Sequence, residues 1–380
     1  MTRPPPRILI CYLVRNSGHH AAARAIEAQI KKRNPLAETR CLDLLETTHP
    51  TWSAIVQHVY MSTIRRTPEL WEALYDNFWF DWLTKWIRPL VQRGNSLKLR
   101  ILMDAFQPDA IVCTQAHPFA VLSAYARRQG TPIPLWGVIT DFLPHRFWFV
   151  PPNERIRYVV PTGTAVQRLM ILGVPGDHVH VLGIPIQADV LAARKRTVSV
   201  SRENGRRILV MGGSRGLGAR YATIRHLDRA AADFTIDVVT GTNRRLRKQL
   251  LAARHKFRHP IRIRGYVKDA MALMRRASLL IGKPGGLTSA EAMASGTPML
   301  IIRPLPGQER GNTEMLVRHG AAIHLDRDRD LPAVAASLIT NVSLLEMMAD
   351  RARSLGKPDA ARDVAEAVLA HLPPEEAPAE

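Results

Sequence analysis

Cysteine is scarce: Cys11, Cys41 and Cys113 are the only three in 380 residues. Their spacing supports neither a disulfide framework nor a zinc cluster. Two of them sit inside apolar, strand-like runs, which fits a reducing cytosol. No apolar run approaches the roughly 20 residues that a membrane-spanning helix needs. Met1 to Arg7, three prolines and two arginines ahead of a strand, lacks the apolar length and cleavage site of a signal peptide. The expectation is a soluble or peripherally bound protein. Acids are short too: 33 against 53 Lys and Arg, a formal charge of +20. So basic a surface attracts polyanions, whether nucleic acid, an anionic bilayer or a phosphorylated substrate. From Arg244 to Arg264 there are nine Lys/Arg and no carboxylate, for which a solvated basic face is the plain alternative. Zinc-finger spacing, basic-region heptads and an aromatic RNA-binding signature are all missing, which argues against nucleic acid as a partner.

The length suits two domains. Ile8 to Val14 is an apolar run that breaks into Arg15-Asn16-Ser17-Gly18-His19-His20 and then a helical stretch from Ala21 to Lys32. Ile208 to Met211 breaks in the same way into Gly212-Gly213-Ser214-Arg215-Gly216-Leu217-Gly218. Each reads as the first strand, turn and helix of a doubly wound α/β domain. Further strands are expected at Ala110 to Thr114, Leu135 to Thr140 and Tyr158 to Pro161, then at Ile236 to Thr240, Leu279 to Gly282 and Met299 to Ile302. Alternation with helices predicts parallel sheets. The expected division is 1–193, a polar linker at 194–205, a second domain at 206–371 and a disordered tail at 372–380. Ligands of doubly wound sheets sit beyond the carboxyl ends of the strands, so both glycine loops are expected to face a central cleft.

Gly282-Lys283-Pro284-Gly285-Gly286-Leu287-Thr288-Ser289-Ala290-Glu291 is the strongest local signal. A strand ends, glycines permit close approach, and a helix begins whose free N–H groups and dipole suit a diphosphate. Glu291, about one turn in, is placed to accept hydrogen bonds from ribose hydroxyls; a structural loop with a solvent-facing Glu is the alternative. Downstream, Pro304 to Asn312 carries Gln308, Glu309, Arg310 and Asn312, an inventory suited to sugar hydroxyls. The Gly212 to Gly218 loop does not follow G-x-G-x-x-G, and the next strand ends in Thr-Gly-Thr instead of an acid, which argues against NAD; Ser214 and neighbouring N–H groups are candidates for the donor's phosphates. His19 at a helix start is kept neutral by the dipole, the state a general base needs, although a capping or surface histidine is the plainer reading. Five of the seven tryptophans lie between Trp52 and Trp86, beside basic residues. They suit the headgroup region of an anionic bilayer, with ordinary helix packing as the alternative. Asp326 to Asp330, acids alternating with arginines, reads as a charged surface loop, and no metal site is expected.

Together, Asn16 to His19, Thr140-Asp141-Phe142-Leu143-Pro144-His145-Arg146-Phe147-Trp148, Gly183 to Ile186, Gly265-Tyr266-Val267, Gly285 to Glu291 and Pro306 to Asn312 resemble the diacylglycerol glycosyltransferases. That group includes plant monogalactosyldiacylglycerol synthases and bacterial processive diacylglycerol glucosyltransferases, and the resemblance runs in order along nearly the whole chain. It implies a GT-B fold and a metal-independent, inverting transfer from a UDP-sugar to diacylglycerol or glycosyl-diacylglycerol at the cytoplasmic face of a membrane. His19 would be the base. Gly265, Tyr266 and Val267 would hold uracil, Glu291 ribose, Gly285, Gly286, Leu287 and Thr288 the diphosphate, and Gln308, Glu309 and Asn312 the sugar. His145 and Trp148 match a segment tied to acceptor or anionic-lipid binding. A related N-acetylglucosaminyltransferase group, acting on a lipid-linked peptidoglycan precursor, favours paired glutamines where this chain has Gln308-Glu309, so the glycolipid reading leads. A nucleotide-sugar epimerase of like architecture is a further alternative.

Overall fold

The computed structural model describes residues 4–44, 96–187, 205–213, 216, 218–305 and 307–372. The tryptophan-rich segment 52–86, most of the expected linker (194–204), Ser214 and the tail from 373 lie outside the described residues, as does the side chain of Gln308. The chain divides into two compact units, Met1–Gln187 with Pro306–Gln308 and Asp359–Glu380, and Ala188–Leu305 with Glu309–Pro358.

The first unit is built on strands β1 (Arg7–Tyr12), β2 (Glu38–Asp43), β3 (Ala110–Cys113), β4 (Leu135–Val138), β5 (Ile156–Val160) and β6 (Val179–Val181). They form one sheet in the order β2-β1-β3-β4-β5-β6, every pair parallel. Between the strands run α1 (Gly18–Arg33), α2 (Ser96–Phe106), α3 (Ala116–Gln129) and α4 (Gly163–Ile171). Successive side chains of a strand point to opposite faces, and both faces here are covered. Leu9 and Cys11 pack with Phe119, Leu122 and Trp148, while Ile8, Ile10 and Tyr12 pack with Ile26 and Ile30 of α1. That double burial is why β1 reads as an unbroken apolar run.

The second unit holds β7 (Arg207–Met211), β8 (Thr235–Val239), β9 (Ile261–Arg264), β10 (Leu279–Gly282), β11 (Met299–Ile302) and β12 (Ala322–Leu325), again all parallel. Its order is β12-β11-β10-β7-β8-β9, the doubly wound arrangement. Its helices are α5 (Tyr221–Leu227), α6 (Arg244–Ala252), α7 (Ala270–Met274), α8 (Gly286–Ala294), α9 (Gln308–Arg318), α10 (Leu331–Thr340) and α11 (Val342–Leu355).

One expectation is corrected. The last helix, α12 (Ala360–Ala370), falls within the second domain expected at 206–371, yet it belongs to the first unit. Its Val364, Ala365 and Val368 share a core layer with Ile26, Ile30 and Trp136, and Arg33 holds Glu366 at 2.8 Å. An apolar stripe must be buried somewhere, and the outer face of α1 is what covers this one. The expected boundary at 193 lies outside the described residues.

In each sheet the winding direction reverses once, between β1 and β3 and between β7 and β10. Loops leaving adjacent strands part there, so these two points are where a doubly wound sheet opens a crevice for a ligand.

Candidate active site

At the first reversal, α1 opens with Ser17 as its cap, whose Oγ accepts the His20 N–H at 3.2 Å. His19 is therefore the second residue of the helix and its ring lies over the ends of three strands. Its Nδ1 is 2.9 Å from the carbonyl oxygen of Thr114, just beyond β3, and 2.8 Å from Oγ1 of Thr140, just beyond β4. The Thr114 hydroxyl donates back to the His19 carbonyl at 2.9 Å. A carbonyl can only accept, so Nδ1 carries the proton, and in the neutral ring the bare lone pair is on Nε2. Burial lowers the His19 pKa, opposed in part by the Asp141 carboxylate and the Thr114 carbonyl. The ring is thus a neutral base of fixed tautomer.

The loop that delivers His19 is strained. Val14 and Asn16 have φ of 65° and 58°, in the left-handed region, which is costly for a β-branched side chain. His145 is brought near as well: burial first, then the charges of His19 and Arg168, push its pKa down to about 3. Two imidazoles so placed disfavour each other's protonation.

Trp148 is a second correction. Expected as an acceptor or lipid contact, it is 1% exposed, packs on Phe119 with ring centroids 5.7 Å apart, and its carbonyl takes the Tyr158 hydroxyl bond at 3.2 Å. It is part of the core beneath the segment that carries His145. Trp148→Ala accordingly lowers stability by about 3–5 kcal/mol, read from the midpoint of denaturant unfolding; a lipid-contacting side chain would leave the midpoint in place.

At the second reversal, β7 and β10 run into glycine loops that touch. A Cβ on Gly282 would sit 2.5 Å from the Met211 carbonyl oxygen, and one on Gly218 would sit 2.6 Å from Cγ of Lys283. Only glycine permits either approach. Helix α8 begins at Gly286 after Gly285, with no side-chain cap and no acid in its first turn. The N–H groups of Gly286, Leu287 and Thr288 are left for an anion.

The carboxylate of Glu291, in the second turn of α8, makes no hydrogen bond among the described residues. Burial, and then the charge of Asp269, push its pKa up to about 7. Asp269 caps α7 by accepting the Ala272 N–H at 2.9 Å. It lies two residues past Gly265-Tyr266-Val267, so the loop after β9 approaches α8. The backbone N–H and C=O groups of Gly265, Tyr266 and Val267 likewise make no hydrogen bond among the described residues, and Tyr266 is 57% exposed. The structure therefore gathers Gly265 to Val267, Gly285 to Thr288 and Glu291 at one end of one sheet.

Glu309 and Asn312, expected as sugar contacts, make hydrogen bonds within the protein beside the Gly285 turn, a Glu309 carboxylate oxygen lying 3.8 Å from the position of a Cβ on Gly285. The Glu309 carboxylate takes Lys283 Nζ at 2.8 Å on one oxygen and the Leu305 N–H at 2.6 Å on the other. Asn312 is fully buried and donates to the Pro284 carbonyl at 2.9 Å. Both brace the Lys283–Gly285 turn, because a buried polar side chain is held where its partners are. Lys283 lies inside the glycine motif, yet nothing in the sequence gives it a role; in the fold its ammonium pairs with the Glu309 oxygen that lies 3.8 Å from the position of a Cβ on Gly285. Thr114 has no signal of a role in the sequence, and Thr140 and Asp141 stand in the segment that carries the resemblance without a role of their own; each falls at or just past a strand's end.

Comparison with known proteins matches these two halves to two families. Monogalactosyldiacylglycerol (MGDG) synthase matches residues 19–186, beginning at His19, and the glycosyltransferase family 28 C-terminal domain matches 207–367. Curated relatives include the processive diacylglycerol beta-glucosyltransferase of Bacillus cereus (strain AH187), 26% identical over 98% of this chain and 96% of that one. That of Bacillus anthracis (strain CDC 684 / NRRL 3495) is 25% identical over the same shares. Along 98% of its length the chain is thus similar to diacylglycerol glycosyltransferases. Solved structures agree on the fold of this glycosyltransferase. MurG of Acinetobacter baumannii superposes with TM-score 0.63 at 16% identity, over 96% of this chain and 100% of that one. The glycotransferase of kitacinnamycin gives 0.66 at 14%, over 98% and 100%. The fold is GT-B, and at these identities the likeness speaks to fold alone.

Proposed function

We propose that this chain is a diacylglycerol glycosyltransferase, moving a hexose, glucose or galactose, from a UDP-sugar to diacylglycerol with inversion, and able to add to glycosyl-diacylglycerol. The observation that carries the reading is the pair of prepared sites at the two sheet reversals: a neutral base of fixed tautomer in the first unit, and an uncapped helix start with an unpartnered carboxylate in the second. A donor seated in the second unit would present uracil to the open backbone of Gly265 to Val267, ribose hydroxyls to Glu291, and diphosphate to the first turn of α8. The two loops are three strand positions apart, about 14 Å at ~4.8 Å per strand, a distance an extended nucleoside diphosphate covers.

His19 Nε2 takes the proton of the acceptor hydroxyl as its oxygen bonds to the anomeric carbon, and the bond to the diphosphate breaks on the opposite side. Charge grows on the leaving diphosphate, where the α8 N–H groups and Lys283 stabilise it by a few kcal/mol, a role these groups fill without a metal cofactor. Asp141 is the charge that favours the imidazolium formed in that step. The acceptor belongs to a bilayer, so the protein works peripherally at a membrane surface, on its cytoplasmic face.

The test is the configuration of the product. Incubation with α-linked UDP-glucose or UDP-galactose and diacylglycerol should give a β-linked glycolipid, identified by the anomeric proton coupling in its NMR spectrum. An α-linked product would overturn in-line attack assisted by His19.

A further inference from the structure

The reaction leaves the carboxylate-free run Arg244 to Arg264 without a role. Eight of its nine Lys and Arg fall on three consecutive pieces of the second unit: α6, a 3-10 turn at Arg254–Lys256, and β9, an outer strand of the sheet; the ninth, Arg258, lies in the loop before β9. All nine are exposed, and none forms an ion pair among the described residues. Helix α6 buries Leu246 and Leu250 against the unit and leaves its cations in solvent, with Leu251 46% exposed among them.

The platform beneath them is rigid. Asp228 accepts the backbone N–H groups of Arg258 and His259 at 3.1 and 3.0 Å, Arg225 donates to the Lys256 carbonyl at 2.8 Å, and His259 reaches the Ala232 carbonyl at 2.8 Å. Asp228 is thereby buried and consumed. Like charges on neighbouring elements repel; a face meant only for water intersperses acids. Guarding the outer strand against stray pairing accounts for Arg262 and Arg264, not for the other seven.

We propose that this face docks the second unit on an anionic bilayer, its cations against lipid phosphates and Leu251 at the headgroup boundary. The choice of a bilayer among polyanions rests on the proposed function, whose acceptor is a bilayer lipid; the charge complementarity is independent of it. Arg247 is left out of the test because it lies 3.7 Å from the position of a Cβ on Gly265, beside the expected uracil loop.

The experiment sediments full-length protein with vesicles of phosphatidylcholine alone or mixed with phosphatidylglycerol. It compares the wild type with a variant carrying Arg245→Gln, Lys248→Gln, Arg254→Gln and Lys256→Gln. The wild type should bind only the mixed vesicles, less as salt rises. The variant should bind them more than about tenfold more weakly, with an unchanged thermal midpoint and unchanged turnover of detergent-dispersed diacylglycerol. Equal vesicle binding by the two proteins would overturn the proposal, as would tighter binding of the wild type to an oligonucleotide than to the mixed vesicles at physiological salt. If the variant loses the vesicles while neither protein makes glycolipid, the docking face stands and the proposed function falls. If both proteins make glycolipid and bind the vesicles equally, the function stands and the docking face falls.

Discussion

His19→Ala lowers kcat by about 100- to 10,000-fold, the span that a positioned general base contributes, and leaves the Kd for UDP-glucose essentially unchanged. The separation follows from the fold: His19 is held by Thr114 and Thr140 in the first unit, whereas the anion site and Glu291 are in the second. A fall in donor affinity as large as the fall in kcat would mean that the ring is structural. The pH profile carries the same signature. Because burial lowers the His19 pKa from 6.5, the acid limb of kcat at saturating donor lies below 6.5. The sign for stability agrees: between its folded pKa and 6.5 the unfolded chain binds the proton and the native one does not, so stability falls as pH falls through that window.

Glu291→Ala raises the Kd for UDP-glucose by about 10- to 150-fold at pH 8, corresponding to about 1.5–3 kcal/mol for hydrogen bonds to a charged acceptor, with kcat at saturation little changed. Glu291 is a buried carboxylate with a pKa of about 7, so donor binding must hold it ionised. Affinity should therefore weaken as pH drops through 7 in the wild type and become flat in Glu291→Ala. UDP-glucose is the right probe, since its doubly esterified diphosphate does not titrate there. The two acid limbs, one near 7 in donor affinity and one below 6.5 in kcat, assign the two groups separately. A variant with unchanged Kd and unchanged pH dependence would remove Glu291 from the ribose.

Legibility in the sequence follows burial. Eight of the strands are evident there and four are not: β2, β6, β9 and β12 are the outer strands of the two sheets. Inner strands such as Leu279–Gly282 are apolar on both faces and announce themselves. The outer strands Glu38–Asp43 and Ile261–Arg264 mix charges with apolar residues because solvent reaches them, and nothing local separates them from loops. His19, Glu291 and the Gly285–Gly286 helix start are legible because glycine and helix-start chemistry is local. Thr114 and Thr140 are not: they meet His19 across 95 and 121 residues only because β1, β3 and β4 lie side by side, which strand order decides.

The same limit explains the corrections. That Glu309 takes Lys283 and the Leu305 N–H as partners within the protein depends on how the loops after β10 and β11 pack, which no motif states. An aromatic residue next to His145 looks like a lipid contact until β5 brings Tyr158 up to it. The return of α12 to the first unit depends on a stripe of α1 whose need for cover the sequence of α12 alone does not reveal.

The most direct measurement is lipid extraction and chromatography after incubating the purified protein with diacylglycerol in anionic vesicles and radiolabelled UDP-glucose or, separately, UDP-galactose. The account predicts a labelled glycolipid with at least one donor and none from His19→Ala. Absence of labelled lipid with both donors, from a folded protein, would contradict it.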